Sequence, residues 1–407
     1  MKNLKLAIVM SDLHLGRNSS YLFSEHENYK ENRDSFTEFL SRFPKPDELI
    51  LNGDIFELSL EGWDIVCREV KNFLEIIANV WIPDRIVYIP GNHDHHIWRE
   101  LAEQIYVYDN INQGKSPPSK MDFIYYFVDK RFTTRSDISK DRILLKALWP
   151  STKRIPEFIV KYPNHLISTG NNNTKQYYLI THGHFLERLF RPVNYIIDPA
   201  RMAELEAFNN IWLEAFDYHL GHAGRLSKTV VKLLECYEKG GEKVKKDVNK
   251  ILNQIYINVK QKLHLCELKS FLLKIGMKLL VRNITIENQS GLFKSPLDDV
   301  LLNDIQEYIN KYIVKRYQIE NFERLHLPSK KSIPVPFTFV FGHTHRPLKR
   351  DIEVENAKVT INDFTFPIQN TGGWLRSDGP IGNGENAGVL VIDETGSRWE
   401  ALEGRLK

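Results

Sequence analysis

The chain has 407 residues, of which 42% are hydrophobic and 26% are charged. This composition is that of a globular protein and excludes an intrinsically disordered one. The length is sufficient for one large α/β domain with an insertion, or for two domains. The formal net charge of +3 is too small to indicate nucleic-acid binding by itself.

Cysteine usage and the distribution of apolar residues indicate the cellular compartment. The three cysteines show no Cys-x-x-Cys spacing, which favours buried thiols in a reducing compartment over a disulfide framework. The apolar run at the N-terminus is broken by Asp12 and is too short for a signal peptide. The longest other apolar stretch, 271–281, contains Lys274 and Lys278, so no segment is expected to span a bilayer. We therefore expect a cytoplasmic protein.

The first third of the chain alternates strand and helix patterns. Strands are predicted at 6–10, 48–52 and 86–89, and helices at about 35–43 and 65–79. Strands separated by helices of this length indicate βαβ units with right-handed crossovers. Each strand is a continuous apolar run, which is typical of parallel strands buried on both faces.

The middle of the chain begins with a weak pattern and continues with a hairpin. Residues 109–140 support no assignment. Residues 158–168 and 176–180 predict two strands, and the intervening turn at 169–174 is rich in Gly and Asn, which tolerate positive φ.

A long helical region follows. Between about 186 and 329 the apolar spacing is that of helices throughout, and one later helix is expected to begin at Pro296. Within it, 225–282 contains fourteen Lys and Arg residues against five Asp and Glu residues. Three interpretations remain open for this basic segment. They are a lid with solvated lysines, which we favour, a nucleic-acid surface and an anionic-lipid surface.

Short strands return at the end of the chain. They are predicted as antiparallel strands at 354–361, 364–368 and 389–392. The simplest domain organisation is one α/β domain formed by residues 1–185 and 336–407. An all-helical insertion or cap, residues 186–335, then interrupts this domain.

Potential metal ligands follow five of the apolar strand patterns directly. They are Asp12 and His14; Asp54; Asn92, His93 and Asp94; His182 and His184; and His343 and His345. Ligands in open α/β sheets bind beyond the carboxyl ends of the strands, so these side chains are expected to meet at one place. Carboxylate, amide and imidazole groups without thiolates favour manganese, iron, zinc or magnesium. Seven or more ligands from this set are too many for one tetrahedral ion and suit two ions that share a carboxylate.

Two such ions would promote phosphoryl transfer. Divalent ions about 3.5–4 Å apart can hold the attacking and leaving oxygens of an in-line displacement and lower the pKa of a bridging water. The remaining requirement is a general acid, which a histidine held by a carboxylate can provide near neutral pH.

The order of these motifs resembles a known family. The motifs are Asp12-Leu13-His14-Leu15-Gly16, Gly53-Asp54, Gly91-Asn92-His93-Asp94, His182-Gly183-His184 and Gly342-His343-Thr344-His345. They resemble, in order, those of the calcineurin-like metallophosphoesterases over about residues 5–185 and 336–400. The resemblance implies an α/β fold, namely a four-layer sandwich of two mixed β-sheets flanked by helices.

The resemblance also implies a role for each motif residue. Asp12, His14 and His345 would bind the first metal, Asn92, His182 and His343 the second, and Asp54 would bridge the two. His93 would be the general acid, oriented by Asp94, while a metal-bridging hydroxide attacks a phosphodiester or pyrophosphate. The alternatives are a phosphomonoesterase or phosphoprotein phosphatase at the same site, or a metal-binding scaffold without catalysis.

Several residues near the motifs are left with two interpretations. Glu57 and His184 are either support for the ligands or ordinary loop residues, and His95 and His96 are expected at a helix start without metal contact. Arg188 and Arg191 are candidates for binding the phosphate of a small phosphorylated substrate, since the guanidinium group of Arg can bind phosphate through two hydrogen bonds. A solvated helix face is the alternative for both arginines.

Overall fold

Eleven strands in the described part of the chain form two mixed sheets. The computed structural model describes residues 4–119, 143–171, 174–187, 190–191, 194, 198–214, 218, 299–314, 337–348, 357–361, 363–376, 386–402 and 406. One sheet contains β1 (Leu6–Met10), β2 (Glu48–Asn52), β3 (Arg85–Ile89), β4 (Glu157–Val160), β10 (Gly388–Asp393) and β11 (Gly396–Ala401). The other contains β5 (Asn164–Thr169), β6 (Gln176–Thr181), β7 (Thr338–Phe341), β8 (Lys358–Ile361) and β9 (Phe364–Asn370). With helices on their flanks, the two sheets confirm the predicted sandwich.

The six-stranded sheet has the order β11-β10-β1-β2-β3-β4. Strands β1 to β4 are parallel, and β10 and β11 are antiparallel to their neighbours. Helices α1 (Tyr29–Leu40) and α2 (Trp63–Val80) connect β1 to β2 and β2 to β3. This confirms the predicted βαβ units.

The core has two layers because side chains alternate between the faces of each strand. One face of β1, with Ala7 and Val9, packs against Ile180 and Val340 of the second sheet. The opposite face of the six-stranded sheet packs against α1 and α2. Both faces are therefore apolar, which explains the continuous apolar runs in the sequence.

The predicted 158–168 strand is wrong as a single element. It is two strands, since β4 ends at Val160 and pairs with β3 in one sheet, while β5 begins at Asn164 and pairs with β6 in the other. Pro163 lies between them and has no N–H for a ladder hydrogen bond. The apolar pattern continues across the break because each strand is buried in its own sheet. The hairpin of β5 and β6 is confirmed.

The first helix begins six residues before its predicted start. Residues 29–34 of α1 are mostly polar, so apolar periodicity detects only the half that contains Phe36, Phe39 and Leu40. The buried Asn32 anchors the early half, since its amide donates a hydrogen bond to the Tyr21 carbonyl at 3.0 Å.

Further helices surround the sheets. They are α3 (His95–Glu103), the π-helix Gln104–Tyr108, α4 (Asp109–Asn112), α5 (Leu144–Leu148), the 3-10 turn His184–Leu186, α6 (Met202–Leu213), α7 (Asp299–Tyr308) and the π-helix Ile309–Val314. The buried face of α7 contains Leu301, Ile305 and Tyr308. Its predicted start at Pro296 and the basic segment 225–282 lie outside the described residues. No helix of the described residues is both long and apolar enough to cross a membrane.

Candidate metal centre

The five motifs meet at one end of the two sheets. Asp12, Asp54 and Asn92 follow β1, β2 and β3, and His182 and His343 follow β6 and β7 of the second sheet. The ligand atoms of Asp12, His14 and His345 all lie within 4.8 Å of one another. Those of Asp54, His182 and His343 form a second group within the same limit. Residues more than 300 positions apart in sequence therefore converge as the sequence predicts.

Asp54 connects these two groups, and Asn92 lies beside the second. Asp54 Oδ2 lies 3.9 Å from His14 Nε2 and 3.3 Å from His182 Nε2. Asn92 Oδ1 lies 3.2 Å from His182 Nε2. Asp54 thus lies next to both groups, which is the position that a bridging carboxylate requires.

The backbone at the site is strained. Asp12, His14, Asp54, His343 and His345 have φ values between 45° and 67°. This left-handed region is costly for residues with a Cβ, and such strain is concentrated at functional sites. The strain allows each strand to end in a sharp turn that directs its side chain into the shared space.

Gly53 shows how closely the segments approach. Its φ is +83°, and a Cβ at this position would lie 2.2 Å from His182 Nδ1. Only glycine allows the chain before Asp54 to pass the imidazole at this distance.

Hydrogen bonds set the tautomers of the candidate ligand histidines. His14 Nδ1 lies 2.8 Å from Glu57 Oε2, and His182 Nδ1 lies 2.9 Å from the Asn52 carbonyl oxygen. His343 Nε2 lies 2.7 Å from Glu187 Oε2. A ring N–H donated in this way leaves the lone pair of the other nitrogen for a metal, as in many metal sites. The donor set therefore fits divalent cations.

Glu57 binds two histidines through its two oxygens. Oε2 accepts from His14 at 2.8 Å, and Oε1 lies 2.7 Å from His93 Nδ1. These distances are hydrogen bonds, because two ligands of one tetrahedral ion with bonds of about 2.1 Å are roughly 3.4 Å apart. Burial opposes ionisation of Glu57, but His93 and His14 outweigh it and hold its pKa well below the usual range. Glu57 also forms, with His14 and His93, a third group whose ligand atoms lie within 4.8 Å of one another, but these hydrogen bonds favour a supporting role.

Asp94 differs from its expected role. Its carboxylate accepts backbone N–H groups from Gly91 at 2.6 Å and from Ile55 at 2.9 Å. It therefore holds the two turns that follow β2 and β3 together, and Glu57 is the carboxylate hydrogen-bonded to the His93 Nδ1. Burial, with the nearby Asp54 carboxylate, raises the pKa of Asp94 to about 6. The family resemblance implied Asp94 for this role, whereas the turn after β2 brings Glu57 to the ring.

His184, His95 and His96 lie beside the centre. Among the described residues, none of them belongs to a group that could hold a metal. His184 is buried, with its Nε2 3.5 Å from the Tyr162 hydroxyl. His95 and His96 begin α3, which confirms the prediction of a helix start.

Arg191 is engaged away from the predicted substrate role. Its side chain is buried, and Nη2 donates to the Leu186 carbonyl at 3.1 Å and to Asp304 Oδ1 at 3.2 Å. This ion pair connects the segment after the 3-10 turn to α7 and favours a structural role. Arg188 lies outside the described residues.

We expect Arg191→Met to lower the free energy of unfolding by about 3–5 kcal/mol, because it removes the cation of a buried ion pair with Asp304. The KM of the folded enzyme should not change. Chemical denaturation measures the first quantity and steady-state kinetics the second. The matched control is Arg398→Met, since Arg398 pairs with Asp393 at an exposed position and should cost at most about 1 kcal/mol. A raised KM with unaltered stability would instead support substrate binding by Arg191.

The fold and the site together define a metal-dependent phosphohydrolase. The sequence profile of the calcineurin-like phosphoesterase family matches residues 6–255, more than half of the chain. The chain therefore belongs to this family. The matched region ends before His343 and His345, which the fold alone brings to the other ligands. No curated protein matches the chain.

Proposed function

We propose that this protein is a dinuclear-metal-dependent phosphoesterase that hydrolyses a phosphodiester or pyrophosphate bond in a small phosphorylated substrate. The observation that carries the proposal is the pair of ligand groups joined at Asp54, with His93 at their edge. Asp12, His14 and His345 would hold one cation, Asn92, His182 and His343 the other, and Asp54 both. When bound, such cations neutralise phosphate charge and lower the pKa of water.

In this proposal His93 delivers a proton to the leaving group. Its backbone N–H donates to Asp54 Oδ1 at 2.9 Å, which fixes the residue beside the proposed bridging carboxylate. Its Nδ1–H is donated to Glu57, so Nε2 is the nitrogen that can protonate a leaving oxygen. The buried, ionised Glu57 favours the imidazolium form from which that proton comes.

We further propose that manganese is the working metal, with iron, zinc or magnesium as alternatives, and that the protein is cytoplasmic. Mixed oxygen and imidazole ligands suit each of these ions. We retain residues 186–335 as a proposed cap that selects a discrete small substrate. Contact of its basic segment with anionic lipid or nucleic acid remains the less favoured alternative.

A substrate panel with metal analysis tests the proposed function. The manganese-loaded protein is assayed with bis(p-nitrophenyl) phosphate, p-nitrophenyl phosphate, nucleotides, cyclic nucleotides and nucleotide sugars. We expect two metal ions per chain, and a higher kcat/KM for at least one diester or pyrophosphate than for every monoester. A preference for monoesters would overturn the proposed bond type, and two bound ions without any turnover would indicate a non-catalytic scaffold.

A further inference from the structure

His95 is held between two glutamates of the insertion. Its Nε2 lies 2.8 Å from Glu206 Oε1, and its Nδ1 lies 2.8 Å from Glu214 Oε1. The His95 side chain is 1% exposed. Glu206 belongs to α6, and Glu214 directly follows that helix. A single core side chain thus bonds two positions of the insertion.

The remaining carboxylate oxygens are also engaged. The Tyr162 hydroxyl donates to Glu206 Oε2 at 2.7 Å, and His96 Nδ1 lies 2.9 Å from Glu214 Oε2. The His96 ring stacks on Tyr218 of the insertion with centroids 3.6 Å apart. All four glutamate oxygens therefore have partners, as a buried ionic network requires.

His95 is an imidazolium in this network, since both ring nitrogens face carboxylates and each must donate. Burial acts to lower its pKa, but Glu206 and Glu214 raise it to about 9. The positive charge between the two carboxylates is therefore that of His95.

The position of His95 in the chain connects this network to the metal centre. His95 is the first residue of α3 and directly follows Asn92, His93 and Asp94. His184, which packs beside it, is two residues from His182. Displacement of His95 would move the start of α3, and with it the segment that presents Asn92 and His93.

We propose that His95 is a positioning residue, through which α6 of the insertion holds Asn92 and His93 in their working geometry. The proposal rests on the proposed function and adds that a docked insertion is needed to complete the catalytic site. His95 touches neither substrate nor metal in this role. It acts through the backbone of the segment before α3.

A purely structural role makes different predictions. If the role were purely structural, substitution of His95 would lower thermal stability and leave kcat and metal affinity of the folded protein unchanged. A positioning role lowers kcat with little change in KM, because misplacement of a reacting group by about 1 Å can cost 10²-fold in rate. If His95 positions Asn92, its substitution should also lower the affinity for the metal ion that Asn92 would bind. Loss of supporting contacts typically lowers metal affinity by 10–100-fold.

The test compares Glu206→Gln, His95→Gln and the double variant with the native protein at a temperature where all are folded. Circular dichroism confirms folding, turnover of a phosphodiester with a poor leaving group gives kcat and KM, and isothermal titration with Mn²⁺ gives metal affinity. We expect each single variant to lose about 10–100-fold in kcat, with KM within about twofold of the native value. We also expect each variant to bind the more weakly held of the two Mn²⁺ ions less tightly than the native protein does. The double variant should lose no more than the worse single variant, because the two residues act as one unit.

The matched control is His165→Gln. His165 Nε2 also bonds a buried glutamate, Glu48, at 2.9 Å, and Glu48 lies at the opposite end of β2 from Asp54. This variant should retain native kcat and Mn²⁺ affinity. If His95→Gln fails to fold, Glu206→Asp keeps the charge and shortens the reach, and it should lower kcat several-fold.

Folded variants with native kcat and Mn²⁺ affinity would overturn the proposal, as would equal losses in the His165→Gln control. If the native protein hydrolyses nothing in the wider panel, the proposed function fails. That result is distinguishable, because the inference is tested on an active native enzyme by comparing the His95→Gln and His165→Gln variants.

Discussion

Asp54→Asn is expected to lower kcat by at least about 10³-fold, which corresponds to the loss of several kcal/mol of transition-state stabilisation. Asp54 Oδ2 lies next to His14 and His182, one in each ligand group. A neutral amide cannot offset the charge of two cations, so the chain should retain at most one tightly bound metal. Turnover of bis(p-nitrophenyl) phosphate and metal content by mass spectrometry measure the two effects.

The control for this change is Asp34→Asn. Asp34 lies on the exposed side of α1, where its carboxylate pairs with Arg33. This variant should keep two metals and native kcat. Two tightly bound ions in Asp54→Asn, with kcat within tenfold of the native value, would exclude Asp54 as the bridge.

His93→Ala is expected to lower kcat by about 10²–10⁴-fold for a substrate with a poor leaving group, because proton delivery to that oxygen is lost. The loss should be much smaller for a p-nitrophenyl ester, whose leaving group needs little protonation. The measurement is the ratio of native to variant kcat along a series of aryl phosphodiesters of increasing leaving-group pKa.

The p-nitrophenyl ester is the internal control for folding and metal content. Glu57→Gln should show the same trend with a smaller loss, since it removes the carboxylate that holds the His93 Nδ1–H. An equal loss for every ester would show that His93 stabilises charge or geometry and does not act as the acid.

Most of the fold was predictable from local patterns. The parallel strands are buried on both faces and therefore appear as continuous apolar runs, each followed by its polar motif. For the same reason the sequence pattern did not show that β4 and β5 are separate strands. Both are apolar, although they belong to different sheets. The polar half of α1 was missed because its anchor, Asn32, carries no apolar signal.

The seven predicted ligand side chains could be found because each stands at a strand end. The carboxylates that hold the histidines of this region could not, since Glu57, Glu187, Glu206 and Glu214 occur among many similar residues in loops and helices. Glu57 offered a weak signal, three residues after Asp54. For Glu206 and Glu214, more than 100 positions from His95, no local pattern marks the contact.

The amino-acid order alone was enough to establish the family, the strand ends and the types of ligand, because these depend on residue identity and short-range periodicity. The tertiary structure determines which carboxylate is hydrogen-bonded to which histidine. A hydrogen bond depends on distances of a few tenths of an ångström between segments that the chain brings together from far apart. Glu57 is therefore the hydrogen-bonded partner of His93, and Arg191 pairs with Asp304.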